Sequence, residues 1–167
     1  MADKFFDDLD DLFEEIENDI EDVMDQEVAD KVRDVEQQMV YDVVYDAYTA
    51  QDPYVERRNG NGGLADKDNM VAYIDRNGDE VELFVDNVAR GNPDADYTNP
   101  NVDLDAIIEF GRLPDRLGLY TKNKTGTEDQ YLRARPFISE TINELERTLS
   151  YIDALRDGLK RRGLDVE

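Results

Sequence analysis

The chain has no cysteine and no histidine, and its 19 lysines and arginines face 42 aspartates and glutamates. Without cysteine no disulfide forms, and the redox state of the compartment leaves no trace. The joint absence of cysteine and histidine removes the commonest zinc ligands and the nucleophilic dyads built on them, leaving only all-carboxylate chemistry. No apolar run approaches the ~20 residues of a membrane span. The acidic N-terminus also lacks the basic start of a signal peptide, so a soluble protein with no membrane contact is expected.

What is present is acid and an adequate core. With 167 residues, 40% of them apolar, the length suits one domain. A formal charge of −23 argues against DNA or an anionic membrane as a direct ligand, because phosphate binding needs clustered bases. Aspartate outnumbers glutamate 27 to 15 and arginine outnumbers lysine 13 to 6. Such a charge strains a compact fold through self-repulsion. In molar salt, where the Debye length falls to about 3 Å, the repulsion is screened. Many short carboxylates and few lysines therefore suit a salt-loving host such as a halophilic archaeon, with an acidic protein of an ordinary host as the plainer reading.

Residues 1–30 hold fourteen acids and one base, Lys4. Their apolar spacing nevertheless predicts a helix: Phe5, Leu9, Leu12, Phe13, Ile16, Ile20, Val23 and Met24 step by three and four. The same beat continues through Val28, Val32, Val35, Met39 and Val43. No Pro or Gly interrupts residues 1–50, so a helix from about 4 to 48 would measure roughly 65 Å. That exceeds a small domain, so it must bend or project toward a partner. Like-charged pairs such as Asp7 with Asp11 and Glu17 with Glu21 weaken it in dilute salt.

After turn-rich residues 52–69, "MVAYIDRNGDEVELFV" reads as a hairpin about Asn77–Gly78. A long irregular connection with Pro93 and Pro100 follows. "LDAIIEFG" is either a helical turn or a strand end. The closing helix starts at Pro136, presents Phe137, Ile138, Ile142, Leu145, Leu149, Ile152, Leu155 and Leu159, and ends in Lys160, Arg161 and Arg162 with Gly163 as cap. The expected class is α+β: a long acidic N-terminal helix over 1–50, then a core over 51–167 with a small antiparallel sheet and a long C-terminal helix.

Few places invite chemistry. Asp94, Asp96, Asn99, Asn101, Asp103 and Asp105 offer oxygen ligands of the kind hard cations take. Their spacing does not match an EF-hand, and a solvated loop is the preferred reading. No phosphate-binding loop is present, and Lys122 with Lys124 are too few for a nucleic-acid patch. No catalytic residue, metal site or cofactor is expected, and the protein is not expected to be an enzyme.

Two segments carry a resemblance. "VYDAYTAQDPYVERRNGNGGLADKDNM" contains Y-x-x-Y, then Y-x-x-R-R, then G-G-L-x-D; after the hairpin, "ARPFISETINEL" opens the last helix. This order, over roughly residues 40–160, resembles the tail-completion or head–tail joining (neck) proteins of long-tailed double-stranded DNA viruses. The matching positions are Tyr54, Arg57, Arg58, Gly62, Gly63, Leu64 and Asp66 in the loop, with Arg135, Pro136 and Phe137 at the helix start. Asn and Gly stand where an aromatic often follows the arginines, and the acidic first thirty residues are peculiar to this chain.

The resemblance implies a virion protein of the neck without catalysis, made in the host cytoplasm. It implies a ring, typically six-fold, between the head connector or adaptor and the tail terminator or tail tube. Genomic DNA passes through its lumen without specific binding. As planar forks, Arg57 and Arg58 suit carboxylates of a neighbouring subunit or of their own. A rival from another class is an acidic DNA mimic that occupies the basic cleft of a nucleic-acid-binding enzyme.

Overall fold

The computed structural model of the protein describes residues 9–47, 62–78, 80–90, 104–111 and 134–166. A single helical path opens the chain. It comprises α1 (Leu9–Val23), a π turn (Met24–Val28), α2 (Ala29–Met39) and a second π turn (Val40–Tyr45). The path spans roughly 55 Å at about 1.5 Å per residue. The expected long helix is therefore present, with Val23 and Val28 of its predicted stripe buried. Beyond Val28, however, the most buried positions are offset by one residue from those that regular spacing predicts.

The π turns explain the difference. Val23 and Val28 are both buried. In an α-helix, side chains five residues apart lie about 140° apart around the axis. The intervening i→i+5 turn brings them to one side. Beyond it the buried positions are Ala29, Glu36, Val40 and Val44, while Val32, Val35, Met39 and Val43 are only half-buried.

Strands β1 (Met70–Asn77) and β2 (Glu80–Asn87) pair antiparallel, with Met70 opposite Asn87 and Asn77 opposite Glu80. The turn thus begins at Gly78, whose φ of 66° only glycine takes at little cost, one residue later than the Asn77–Gly78 reading. Ile74, Leu83 and Val85 face inward, while Tyr73 stacks on Phe84 on the exposed face with ring centroids 5.0 Å apart. The ambiguous apolar piece is helix α3 (Leu104–Phe110).

The C-terminal helix is two helices, α4 (Phe137–Thr148) and α5 (Ser150–Arg161). Leu149 breaks them apart in the left-handed region, with φ 53°. Ile142 and Leu149, expected on the buried stripe, are about half exposed. Pro136 occupies the cap position before α4 rather than its first turn. Gly163 closes α5 as expected: its N–H donates to the Lys160 carbonyl and that of Leu164 to Leu159, the paired bonds of a Schellman end.

Two apolar clusters share the N-terminal helix. The first joins Val40 and Val44 to Leu64, Ala65, Ala89 and Phe137. The second joins Val23 and Val28 to Leu159, with Leu83, Tyr151 and Leu155 packed against them. At the second, α5 approaches α1 so closely that a Cβ on Gly158 would lie 2.3 Å from Cγ1 of Val23.

Salt bridges clothe the same helix. Arg76 binds both Glu17 (3.4 Å) and Glu21 (2.5 Å), the pair whose repulsion would weaken α1. Arg162 binds Asp19 and Asp22, each at 3.0 Å, and Arg161 binds Glu27 at 3.1 Å. Each exposed pair adds little alone, but together they place scarce bases against the most acidic element.

Two substitutions test this packing by chemical denaturation. Gly158→Ala should lower stability by about 1–3 kcal/mol through overpacking, despite alanine's better helix propensity. Val23→Ala added to it should cost less than the sum of the two singles, because the removed methyls make the room. At the helix break, Leu149→Gly should change stability by less than about 1 kcal/mol, whereas β-branched Leu149→Val should lose more, since a left-handed residue with a Cβ is strained by roughly 1–2 kcal/mol.

Candidate functional site

The G-G-L-x-D loop is built from its own backbone and docked on the N-terminal helix. Gly62 takes φ 77°, and its N–H donates to Asp66 Oδ2 at 2.6 Å. Asp66 also accepts from the Asp68 N–H at 3.1 Å, capping the 3₁₀ turn Lys67–Asn69. The Gly63 carbonyl accepts from Asn69 Nδ2 at 2.9 Å. So Gly62, Gly63 and Asp66 shape the loop.

Leu64 fastens it. Its side chain is buried in the first cluster with Phe137, which is wholly buried. The two widely separated motifs therefore meet in one core. The Ala65 carbonyl accepts from Gln37 Nε2 at 2.7 Å, the Ala65 N–H donates to the Tyr45 hydroxyl at 3.3 Å, and Arg33 Nε donates to the Met70 carbonyl at 2.8 Å. Lys67 pairs with Asp34. Tyr54, Arg57 and Arg58 lie outside the described residues, as do all of Asp94–Asp103 in the acidic loop.

The helix start is held by an acid that sequence reasoning missed. Glu109 is buried and accepts from the N–H groups of Ile138 (2.8 Å) and Ser139 (3.1 Å) and from the Ser139 hydroxyl. It thus places a carboxylate on the positive end of α4. Arg135 is also buried, and its N–H donates to the Ile108 carbonyl at 2.8 Å. Pro136 is exposed beside it.

A second buried acid joins loop, strand and helix. Glu36 Oε1 accepts from Asn87 Nδ2 at 2.7 Å, and the same amide group donates to the Leu64 carbonyl at 2.9 Å. Asn87 Oδ1 accepts from the Ala89 N–H at 3.2 Å. Burial pushes the Glu36 carboxyl up from 4.5 to about 7; the Asn87 hydrogen bond opposes this, and the nearby Asp105 and Asp86 add to it. Nothing in the spacing marks Glu36 among so many acids, except that it falls on the buried series Ala29, Glu36, Val40, Val44.

Glu36 also opens onto a cleft of about 340 Å³ between α2, β2, α3 and α4. Its walls include Val32, Leu83, Ile138 and Leu145, and Asp86 and Asp105 line it too. Among the described residues no group of three or more acids is arranged to hold a metal ion, and no helix is long and apolar enough to cross a membrane.

The arrangement defines an α+β protein whose motif residues join elements: a docked loop, a capped helix start and a buried acid–amide link. The chain belongs to the YomN family, whose match covers residues 8–161. That family derives from a Bacillus phage, which makes this a phage-related protein. No curated protein and no solved structure matches the chain.

The Glu36 link has a pH signature. A carboxyl raised from 4.5 to about 7 on folding contributes stability that is full below 4.5 and is lost as pH rises toward 7. At roughly 1.4 kcal/mol per pH unit, that amounts to about 3 kcal/mol. Glu36→Gln keeps an acceptor for Asn87 and removes the ionisation. Denaturation at a series of pH values should show the variant lacking this share of the decline and more stable than the parent above pH 7.

Proposed function

We propose that the protein is a structural component of a virion neck, one subunit of a ring that completes the tail and joins it to the head connector around the DNA channel. The observation that carries this reading is the convergence of Leu64 and Phe137 in one core. The two segments on which the neck resemblance rests form a single junction in a phage-derived family.

In this reading the rigid body supplies the scaffold and the segment before it supplies the contact. The docked loop fixes the chain from Gly62 onward, and Tyr54, Arg57 and Arg58 precede it directly. Each guanidinium there pairs bidentately with a carboxylate of the adjoining subunit. In an acidic ring such pairs offset repulsion that would otherwise oppose closure. An acidic lumen repels phosphates, so genomic DNA slides through without adhering. The role needs no cofactor and no catalysis. Its partners are further copies, typically six in all, the head connector or adaptor, and the tail terminator or tail tube. The aspartate-rich surface suits assembly in a salt-loving host.

The test is to localise the protein on purified particles by antibody labelling and electron microscopy. Label confined to the head–tail junction is expected. A protein absent from particles yet abundant in infected cells would overturn the neck reading and favour an acidic DNA mimic acting on a host enzyme.

A further inference from the structure

We propose that the cleft between α2, β2, α3 and α4 receives a lysine side chain presented by a basic partner protein. At about 340 Å³ the cleft falls within the range of roughly 300–1,000 Å³ typical of binding pockets. It is far larger than a metal ion requires. Apolar residues from the elements on either side, Val32, Leu83, Ile138 and Leu145 among them, wall it, while its polar part holds three carboxylates and, among the described residues, no base. That combination matches a side chain with an apolar stem and a cationic head.

The carboxylates are placed to use such a head. Glu36 is 5% exposed, and Asp105 Oδ1 is buried without a hydrogen-bond partner among the described residues. A buried acceptor left unmatched costs free energy. An ammonium between Glu36, Asp86 and Asp105 donates to such oxygens and offsets the repulsion among them. Its compact head suits this setting better than the broad guanidinium fork.

The choice of partner follows from charge at contact range, where salt screens partly buried pairs least. A second copy of the chain offers only six lysines among 42 acids, whereas a basic protein presents many. The hydrophobic wall extends to Ile142, 52% exposed, which lets residues flanking the lysine bury apolar surface as well. The inference does not depend on a position at the neck.

The full-length protein with labelled Ile, Leu and Val methyls should be titrated with acetyl-Leu-Lys-Leu-amide and followed by NMR. Saturable shifts at Leu83, Val85, Ile138, Ile142 and Leu145 are expected. Affinity should be at least tenfold above that of the same peptide with norleucine, which keeps the stem and lacks the charge. Asp105→Asn and Glu36→Gln should each weaken the lysine peptide several-fold and leave the norleucine peptide unchanged. Absence of saturable shifts, or equal binding of the two peptides, would overturn the proposal. So would tighter binding of free 1,5-diaminopentane, which would make the occupant a polyamine instead of a protein.

Discussion

One helix has to satisfy two cores at once. The path from Leu9 to Tyr45 supplies Val23 and Val28 to the cluster shared with α5, and Val40 and Val44 to the cluster shared with the loop and α4. A straight α-helix carries a single face, and its apolar stripe drifts if the spacing departs from 3.6. Two π turns adjust the phase, one between Val23 and Val28 in the second cluster and one carrying Val40 and Val44 into the first. The hairpin, the docked loop and both C-terminal helices take their positions from this spine. It is the reason that a chain with only a two-stranded sheet among its described residues can hold an organised interior.

The spine is also where the charge problem is worst. Its acids are met by Arg33, Lys67, Arg76, Arg161 and Arg162, drawn from the helix itself, the loop, β1 and the end of α5. The basic chain end and the acidic chain start thus differ in composition because they lie side by side. Buried acids follow a different logic. Glu109 is stabilised by the N–H groups of a helix start, and Glu36 by an amide while burial favours its neutral form. In one chain, exposed carboxylates neutralise arginines, one buried carboxylate caps, and one links.

Much of the fold was legible. The long helix followed from apolar spacing, the hairpin from two β-rich runs around Asn77–Gly78, and the Gly163 end from composition at the chain terminus. What escaped had local causes. The π turn after Val23 shifted the most buried positions from Met39 and Val43 to Val40 and Val44, leaving the former half-buried against the same cluster, a shift no regular period reports. The break at Leu149 was hidden because leucine is not a residue that signals a left-handed bend. For the site, Gly62 and Asp66 were visible as turn chemistry, but the meeting of Leu64 with Phe137 is a tertiary event. Glu36, Asn87 and Glu109 were invisible for a different reason: in so acidic a chain, no single carboxylate stands out until burial distinguishes it.

The contacts of Arg161 and Arg162 with Glu27, Asp19 and Asp22 join residues more than 130 positions apart. During synthesis the first helix emerges long before the bases that balance it, and before Gly158 and Leu159 can cover Val23. Until then the acidic segment repels itself, and its second apolar cluster lacks Leu159. Such a topology raises the mean sequence separation of contacts and slows folding. A product lacking α5 would lose the contacts of Leu159, Arg161 and Arg162 that hold the first helix at its second cluster.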